Sequence, residues 1–172
     1  MFIKVYNDIK FLLQMTESTA LYTLVSSDNV EFKVSDKILG QSEVFKHMMN
    51  VCDDTKKIPV SDIDGQTLDK IIRFCEHYEK DSPYVPPSGE NPDRILPSPD
   101  SWDMQFLLIP HDDLSKVIVG ANYLDIPRLI DCCCDRLGLM VQGRSVEELR
   151  KIFDIQNDFT PDEEKKMKRE CT

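Results

Sequence analysis

Three consecutive cysteines, Cys132, Cys133 and Cys134, are the residues most suggestive of chemistry in this chain. Cys52, Cys75 and Cys171 bring the total to six. Thiols this dense suggest a metal site, a redox centre or packing. The flanking stretch, NYLDIPRLIDCCCDRLGLMVQG, reads as a helix from Pro127 to about Gln142, stopped by Gly143. Neighbouring residues on a helix point in different directions, so the three thiols do not converge on one ion. No CxxC pair or His–Cys cluster accompanies them, and Cys75 and His77 are a lone couple. A bridge between adjacent helical residues would need a Cα separation longer than about 3.8 Å. Packing or interface is the leading expectation, because cysteine behaves as a small buried hydrophobe. Redox sensing ranks second and metal binding last.

The histidines, His47, His77 and His111, belong to no nucleophile motif, and there is no Walker loop, GxGxxG or HExxH. No catalytic residue and no cofactor is expected.

On a helical wheel, Asp131, Asp135, Gly138 and Gln142 form a narrow polar strip. Met140, Cys133, Leu137, Ile130, Val141 and Cys134 fill a broad apolar arc. Leu139, Cys132 and Leu129 extend it, with Arg136 among them. An arc this wide exceeds one packed face and predicts more than one neighbour, another protein included.

The elements before it read as follows. Leu21–Ser26 and Glu31–Ser35 are β-rich and joined by SSDN, which predicts a hairpin. Asp36–Val51 predicts two short helices broken at Gly40, and Lys57–Val60 an edge strand holding Pro59. Asp64 caps a helix through Glu79 with Leu68, Ile71, Ile72 and Cys75 on one face. Residues 80–101 hold six prolines and read as a flexible surface loop. Helices follow over Trp102–Leu108 and His111–Leu124. Ser145 with Glu148, and Thr160 with Glu163, are capping boxes for two more. Met1–Ala20 reads as an extension outside the fold, without a signal-peptide core.

The chain has 172 residues, 41% hydrophobic and 30% charged, with net charge −10. That length supports a real core in one domain with an appendage. The acidity argues against nucleic acid or anionic membrane as partner, since those surfaces need clustered Lys and Arg. No apolar run approaches the roughly 20 residues of a membrane helix. The thiol pattern fits reduced cysteines in cytosol or nucleus.

In order along the chain, SSDNVEFKV, WDMQFL, ANYLDIPRLIDCCC, VEELRKIF and FDIQNDFTPDEE resemble the S-phase kinase-associated adaptor family of cullin–F-box (SCF) ubiquitin ligases. The resemblance covers Leu21 to Glu170. It implies a mixed α/β (α+β) fold of BTB/POZ type over 21–126, a small sheet flanked by helices. C-terminal F-box-binding helices over 127–172 would follow. It further implies a non-catalytic adaptor, cytoplasmic and nuclear, bridging a cullin N-terminal domain to F-box proteins. The cullin-facing residues would be Leu114, Ile118, Asn122 and Tyr123. The F-box-facing residues would be Ile130, Cys134, Leu137, Val141, Phe153, Ile155, Asn157 and Phe159.

Three features depart, the first being an N-terminal extension without a usable counterpart in the family. Its last helix usually continues into an Asn-Gln-Trp-Cys stretch, whereas this sequence ends at Cys171-Thr172, so weaker or more selective receptor binding is expected. The Pro-rich loop is also less acidic than usual. Together they predict a divergent paralogue. The alternative is a BTB-type self-assembling scaffold, a homodimer through the BTB surface. An elongin C type of adaptor is disfavoured by FDIQNDF.

Overall fold

The computed structural model describes residues 20–51, 56–86, 96–160, 163 and 166. Strand β1 (Leu21–Ser26) pairs antiparallel with β2 (Glu31–Ser35), from Leu21 opposite Ser35 to Val25 opposite Glu31. The turn between them is held by side chains. Ser26 Oγ accepts from the Val30 N–H at 2.9 Å and donates to Asp28 at 2.5 Å. Asn29 takes a left-handed φ of 64°, which Asn tolerates better than most residues. Strand β3 (Lys57–Val60) runs parallel to β1, giving the order β2-β1-β3. Pro59 therefore sits on an edge strand, where its missing N–H costs no ladder bond.

Helices α1 (Asp36–Leu39) and α2 (Glu43–Val51) follow β2, broken at Gly40 as the pattern predicts. Buried Ser42 ties α2 to a distant turn, its Oγ donating to the Leu124 carbonyl at 2.5 Å. Helix α3 (Gly65–His77) begins at Asp64, whose carboxylate accepts from the Thr67 N–H at 2.9 Å. That hydrogen bond is the main reason the Asp64 carboxyl lies below its ordinary range. Asp28 reaches from the hairpin to accept the Gly65 N–H at 2.8 Å. A Cβ at Gly65 would come within 2.8 Å of Val30 Cγ2, so only glycine fits this junction.

Helix α3 is the centre of the core. Leu68, Ile71, Ile72, Phe74 and Cys75 are buried with Leu24, Val34, Ile58 and Val60 of the sheet. Leu114, Val117 and Ala121 of α5 (His111–Tyr123) close the other side. The two helices approach closely: a Cβ on Gly120 would lie 2.7 Å from Ile71 Cδ1. Burial of each such Leu, Ile or Phe contributes about 1.5–3 kcal/mol, and this apolar stock drives the fold. Short α4 (Trp102–Phe106) covers the C-terminal end of α3. There the His77 and Trp102 rings stack at 3.5 Å, with Phe74, Tyr78 and Phe106 around them.

Helix α6 (Pro127–Val141) and α7 (Val146–Ile152) complete the described elements. The core runs through the 126/127 division, because Ile126, Leu129 and Cys133 are buried in the same cluster as Leu124. The first two turns of α6 thus share the core of the elements that precede residue 127. Gly143, at φ 72°, follows α6, as C-terminal glycines do. Ser145 and Glu148 form the expected capping box on α7. Thr160 and Glu163 form another, with the Thr160 N–H donating to Glu163 at 2.8 Å. The rest of the expected last helix, with Cys171, lies outside the described residues, as do Cys52 and 87–95 of the Pro-rich loop.

The described flanks of that loop are fastened to α6. Tyr84 donates to Asp131 at 2.6 Å, Arg128 donates to Asp81 at 2.9 Å, and Leu96 lies over Gly138. The Arg128 guanidinium also sits 4.0 Å above the Tyr78 ring. The polar strip of the wheel is therefore covered in part by the chain's own loop.

Candidate protein-interaction surfaces

On α5 the helical repeat divides the expected cullin-facing residues. Leu114 shares a face with Val117 and Ala121, which points into α3, and it is 1% exposed. The core takes up the whole Leu114 side chain, although it was expected among the cullin-facing residues. Ile118 is half-buried at the edge of the core cluster. Asn122 is exposed and Tyr123 is 44% exposed. The Tyr123 hydroxyl donates to Asp62, which holds the phenol above its ordinary pKa. Val119, 67% exposed, lies one turn before Tyr123 and is not among the expected contact residues. Its signal in the sequence is a β-branched apolar residue off the buried stripe of an otherwise polar face.

The C-terminal elements present a different surface. Along α6, Ile130 and Leu137 are half-buried and pack partly on the core. Cys134 and Val141, on the same stripe, are exposed. Helix α7 buries no residue at all. Beyond it, Ile155 is 57% and Phe159 46% exposed, and Val146 at the start of α7 is exposed as well. Val146 is a further apolar residue that the resemblance does not supply.

The segment after α7 is nonetheless ordered by specific contacts. Phe153 sets its ring edge-on to His111 at 5.4 Å, which pins the turn to the start of α5. The Ile155 N–H donates to the Arg150 carbonyl at 2.8 Å. Asn157 accepts the Phe159 N–H at 3.3 Å, an Asx-type turn that holds Phe159 outward. Asn157 thus acts on the surface through backbone geometry. The eight expected F-box-facing residues lie on α6 and on the chain after α7, with Phe153, Ile130 and Leu137 half-buried and the rest exposed.

The cysteines occupy three environments. Cys133 is buried, and burial pushes its thiol up to about 12. Cys132 is half-buried beside Asp103, and burial first and then that carboxylate push it up to about 12. Asp103 also accepts from the Tyr78 hydroxyl, so it links α3, α4 and α6. Cys134 is exposed on the open stripe. Cys133 belongs to the core cluster and Cys132 packs against it. Among the described residues, no three His, Cys, Asp or Glu side chains gather as a metal cage. No helix among them is long and apolar enough to cross a membrane.

Comparison with known proteins gives this arrangement a family. The model for the "Skp1 family, tetramerisation domain" matches residues 20–80, and that for the "Skp1 family, dimerisation domain" matches 127–171. The "E3 ubiquitin ligase complex SCF subunit sconC" of Arthroderma benhamiae is 37% identical over 154 residues, covering 89% of this chain and 94% of that protein. The sconC protein of Aspergillus oryzae is 36% identical over the same length, covering 89% and 95%. "Suppressor of kinetochore protein 1" of Schizosaccharomyces pombe is 36% identical over 150 residues, covering 86% and 92%. The three-stranded sheet with its flanking helices is accordingly a BTB/POZ-type fold, and the chain belongs to the Skp1 family.

Proposed function

We propose that the chain is a non-catalytic adaptor that joins a cullin N-terminal domain to F-box substrate receptors in an SCF-type E3 ubiquitin ligase. The observation that carries this reading is the exposure of Cys134, Val141, Val146, Ile155 and Phe159, all in the C-terminal stretch that follows the core. Exposed apolar side chains on an ordered backbone are what a partner helix or loop would cover. Relatives covering nearly the whole chain are named as SCF subunits, which supports assigning the partner to that complex. Val119, Asn122 and Tyr123, exposed towards the end of α5, are the residues we assign to the cullin. The adaptor would hold the receptor at a fixed position on the scaffold and leave ubiquitin transfer to other subunits. Cytoplasm and nucleus are the compartments we assign to it, in keeping with reduced thiols.

The test is a pull-down of the full chain with an F-box polypeptide and with a cullin N-terminal fragment. Binding of both supports the reading. A folded chain that binds neither rejects it.

A second reading has one observation in its favour. Val119 and Tyr123 side by side on a BTB-type helix would also suit a second copy of this chain, making a self-assembled scaffold. Sedimentation at micromolar concentration separates the two, a monomer removing the scaffold reading.

A further inference from the structure

The sheet order β2-β1-β3 gives β2 a neighbouring strand on one side only, among the described residues. The backbone groups that β2 turns outward follow from its bonds. The Thr23 N–H donates to the Lys56 carbonyl on the β3 side, and the Ser26 N–H donates to the Val30 carbonyl on the β2 side. At the other end of the same ladder the Asp36 N–H donates to the Ala20 carbonyl. Leu24 opposite Phe32 and Tyr22 opposite Val34 are therefore the hydrogen-bonded pairs. The N–H and C=O groups of Glu31 and Lys33 point away from β1. Such an edge is a template for a further strand.

Side chains decide which strand fits. Glu31 and Lys33 are exposed on the outer face of the sheet, while Phe32 and Val34 turn to the core. On that outer face the Lys57 ammonium reaches Glu31 at 2.6 Å. Opposite charges two positions apart make the edge complementary to itself. In an antiparallel approach of a second copy, only the outward-turned residues Glu31, Lys33 and Ser35 can bond across. Pairing centred on Glu31 sets Glu31 against Glu31, and pairing centred on Lys33 sets Lys33 against Lys33. Pairing centred on Phe32 sets Glu31 opposite Lys33 and Lys33 opposite Glu31, with the two half-buried Phe32 rings side by side. Opposite charges directly across a ladder stabilise it and like charges destabilise it, so the register at Phe32 is selected.

We propose that two copies of this chain pair antiparallel along β2, about a two-fold axis at Phe32, to make one continuous sheet of order β3-β1-β2-β2-β1-β3. One patch meets itself, as in an isologous dimer. Each Glu31–Lys33 pair exchanges both of its backbone hydrogen bonds and brings opposite charges together. The net charge of −10 on each copy opposes association, and at about 0.15 M salt that repulsion is screened beyond about 8 Å. The surface includes no residue of α5, α6 or α7. It is therefore independent of the cullin and F-box assignments and distinct from the Val119–Tyr123 contact considered above.

The experiment is sedimentation of the full chain from micromolar to submillimolar concentration in about 0.15 M salt. The wild type is compared with Glu31→Lys, Lys33→Glu, an equimolar mixture of those two variants, and Tyr123→Ala. The proposal expects a wild-type dimer. Either charge reversal alone sets like charges opposite each other twice and should weaken the dimer at least about tenfold. The mixture restores opposite charges at both pairs, so a heterodimer should form with an affinity near that of the wild type. Because the mixture contains only the two variants, its recovery also shows that both are folded. Tyr123→Ala should dimerise like the wild type. Amide exchange at Glu31 and Lys33 should slow as the wild-type concentration rises. A wild type that stays monomeric throughout would overturn the proposal. So would a dimer that survives both reversals, or a mixture no better associated than its components. Loss of the dimer in Tyr123→Ala would overturn it in favour of a contact through α5.

Discussion

Helices α3 and α7 show how differently two parts of this chain dispose of their apolar side chains. Both begin with a side-chain cap, Asp64 in one and Ser145 with Glu148 in the other. Helix α3 buries Leu68, Ile71, Ile72, Phe74 and Cys75, whereas α7 buries nothing. Helix α6 stands between them, with Leu129 and Cys133 buried near its start and Val141 exposed at its end. Burial thus declines from the first turns of α6 to Phe159 while local order persists through caps, an Asx turn and the Phe153–His111 contact. Stability resides in the first region and the apolar surface left over for association is largely in the second, since surface that a fold has already used cannot drive association.

The largest expected effect tests that division at its two extremes. Phe74→Ala should destabilise the chain by about 3–5 kcal/mol in urea unfolding, because a fully buried ring leaves a cavity. Phe159→Ala should change stability by less than about 0.5 kcal/mol, as for other exposed positions. Similar costs for the two would break the comparison. Leu114→Ala belongs with Phe74, with a loss of about 2–5 kcal/mol and no cullin defect beyond that loss of folded protein.

Binding should follow the opposite order. Ile155→Asp should weaken an F-box polypeptide by at least about tenfold in calorimetry and leave the cullin fragment unaffected. Tyr123→Ala should do the reverse. Loss of both partners from either substitution would merge the two surfaces into one.

The neighbouring cysteines sharpen the boundary within a single helix turn. Cys133→Ser places an unpaired hydroxyl in the core and should cost about 1–3 kcal/mol in thermal unfolding. Cys134→Ser should be neutral. Equal effects would mean that α6 does not divide its surface as described.

The smallest effect is local and depends on pH. The Glu148 carboxyl lies below its ordinary range, first because it accepts the Ser145 N–H. A lowered folded pKa means the cap contributes above the unfolded value, near pH 4.5, and is lost as pH falls through the folded value. Hydrogen exchange in α7 should therefore quicken on acidification through that window, with α3 amides following global unfolding. Glu148→Gln should flatten the α7 response. An unchanged response would place the acid sensitivity elsewhere.

Features set by neighbouring residues were legible in the sequence. The hairpin, the break at Gly40, edge-placed Pro59 and the caps at Asp64, Ser145 and Thr160 each depend on chemistry within a few positions. The helical wheel also identified α6 as a helix with too much apolar surface for one neighbour. Features that depend on contacts across the chain were not legible. Periodicity put Leu114 on an apolar face, but which partner that face meets is decided by α3, some 40 residues earlier in sequence. Gly138 fell on the polar strip, yet Leu96 from the Pro-rich loop covers it. The Asp103 link between Tyr78 and Cys132 joins three segments with no common motif. The same limit applied to the candidate surfaces, where Val119 and Val146 became visible only once their neighbours' burial was known.

On the adaptor reading proposed above, two open surfaces on one closed core would bind their partners independently. The most direct measurement is the dissociation constant of an F-box polypeptide for the full chain, alone and saturated with a cullin N-terminal fragment. Independent surfaces carry no coupling free energy, so the two constants should agree within about twofold. Exclusion of one partner by the other would contradict the account.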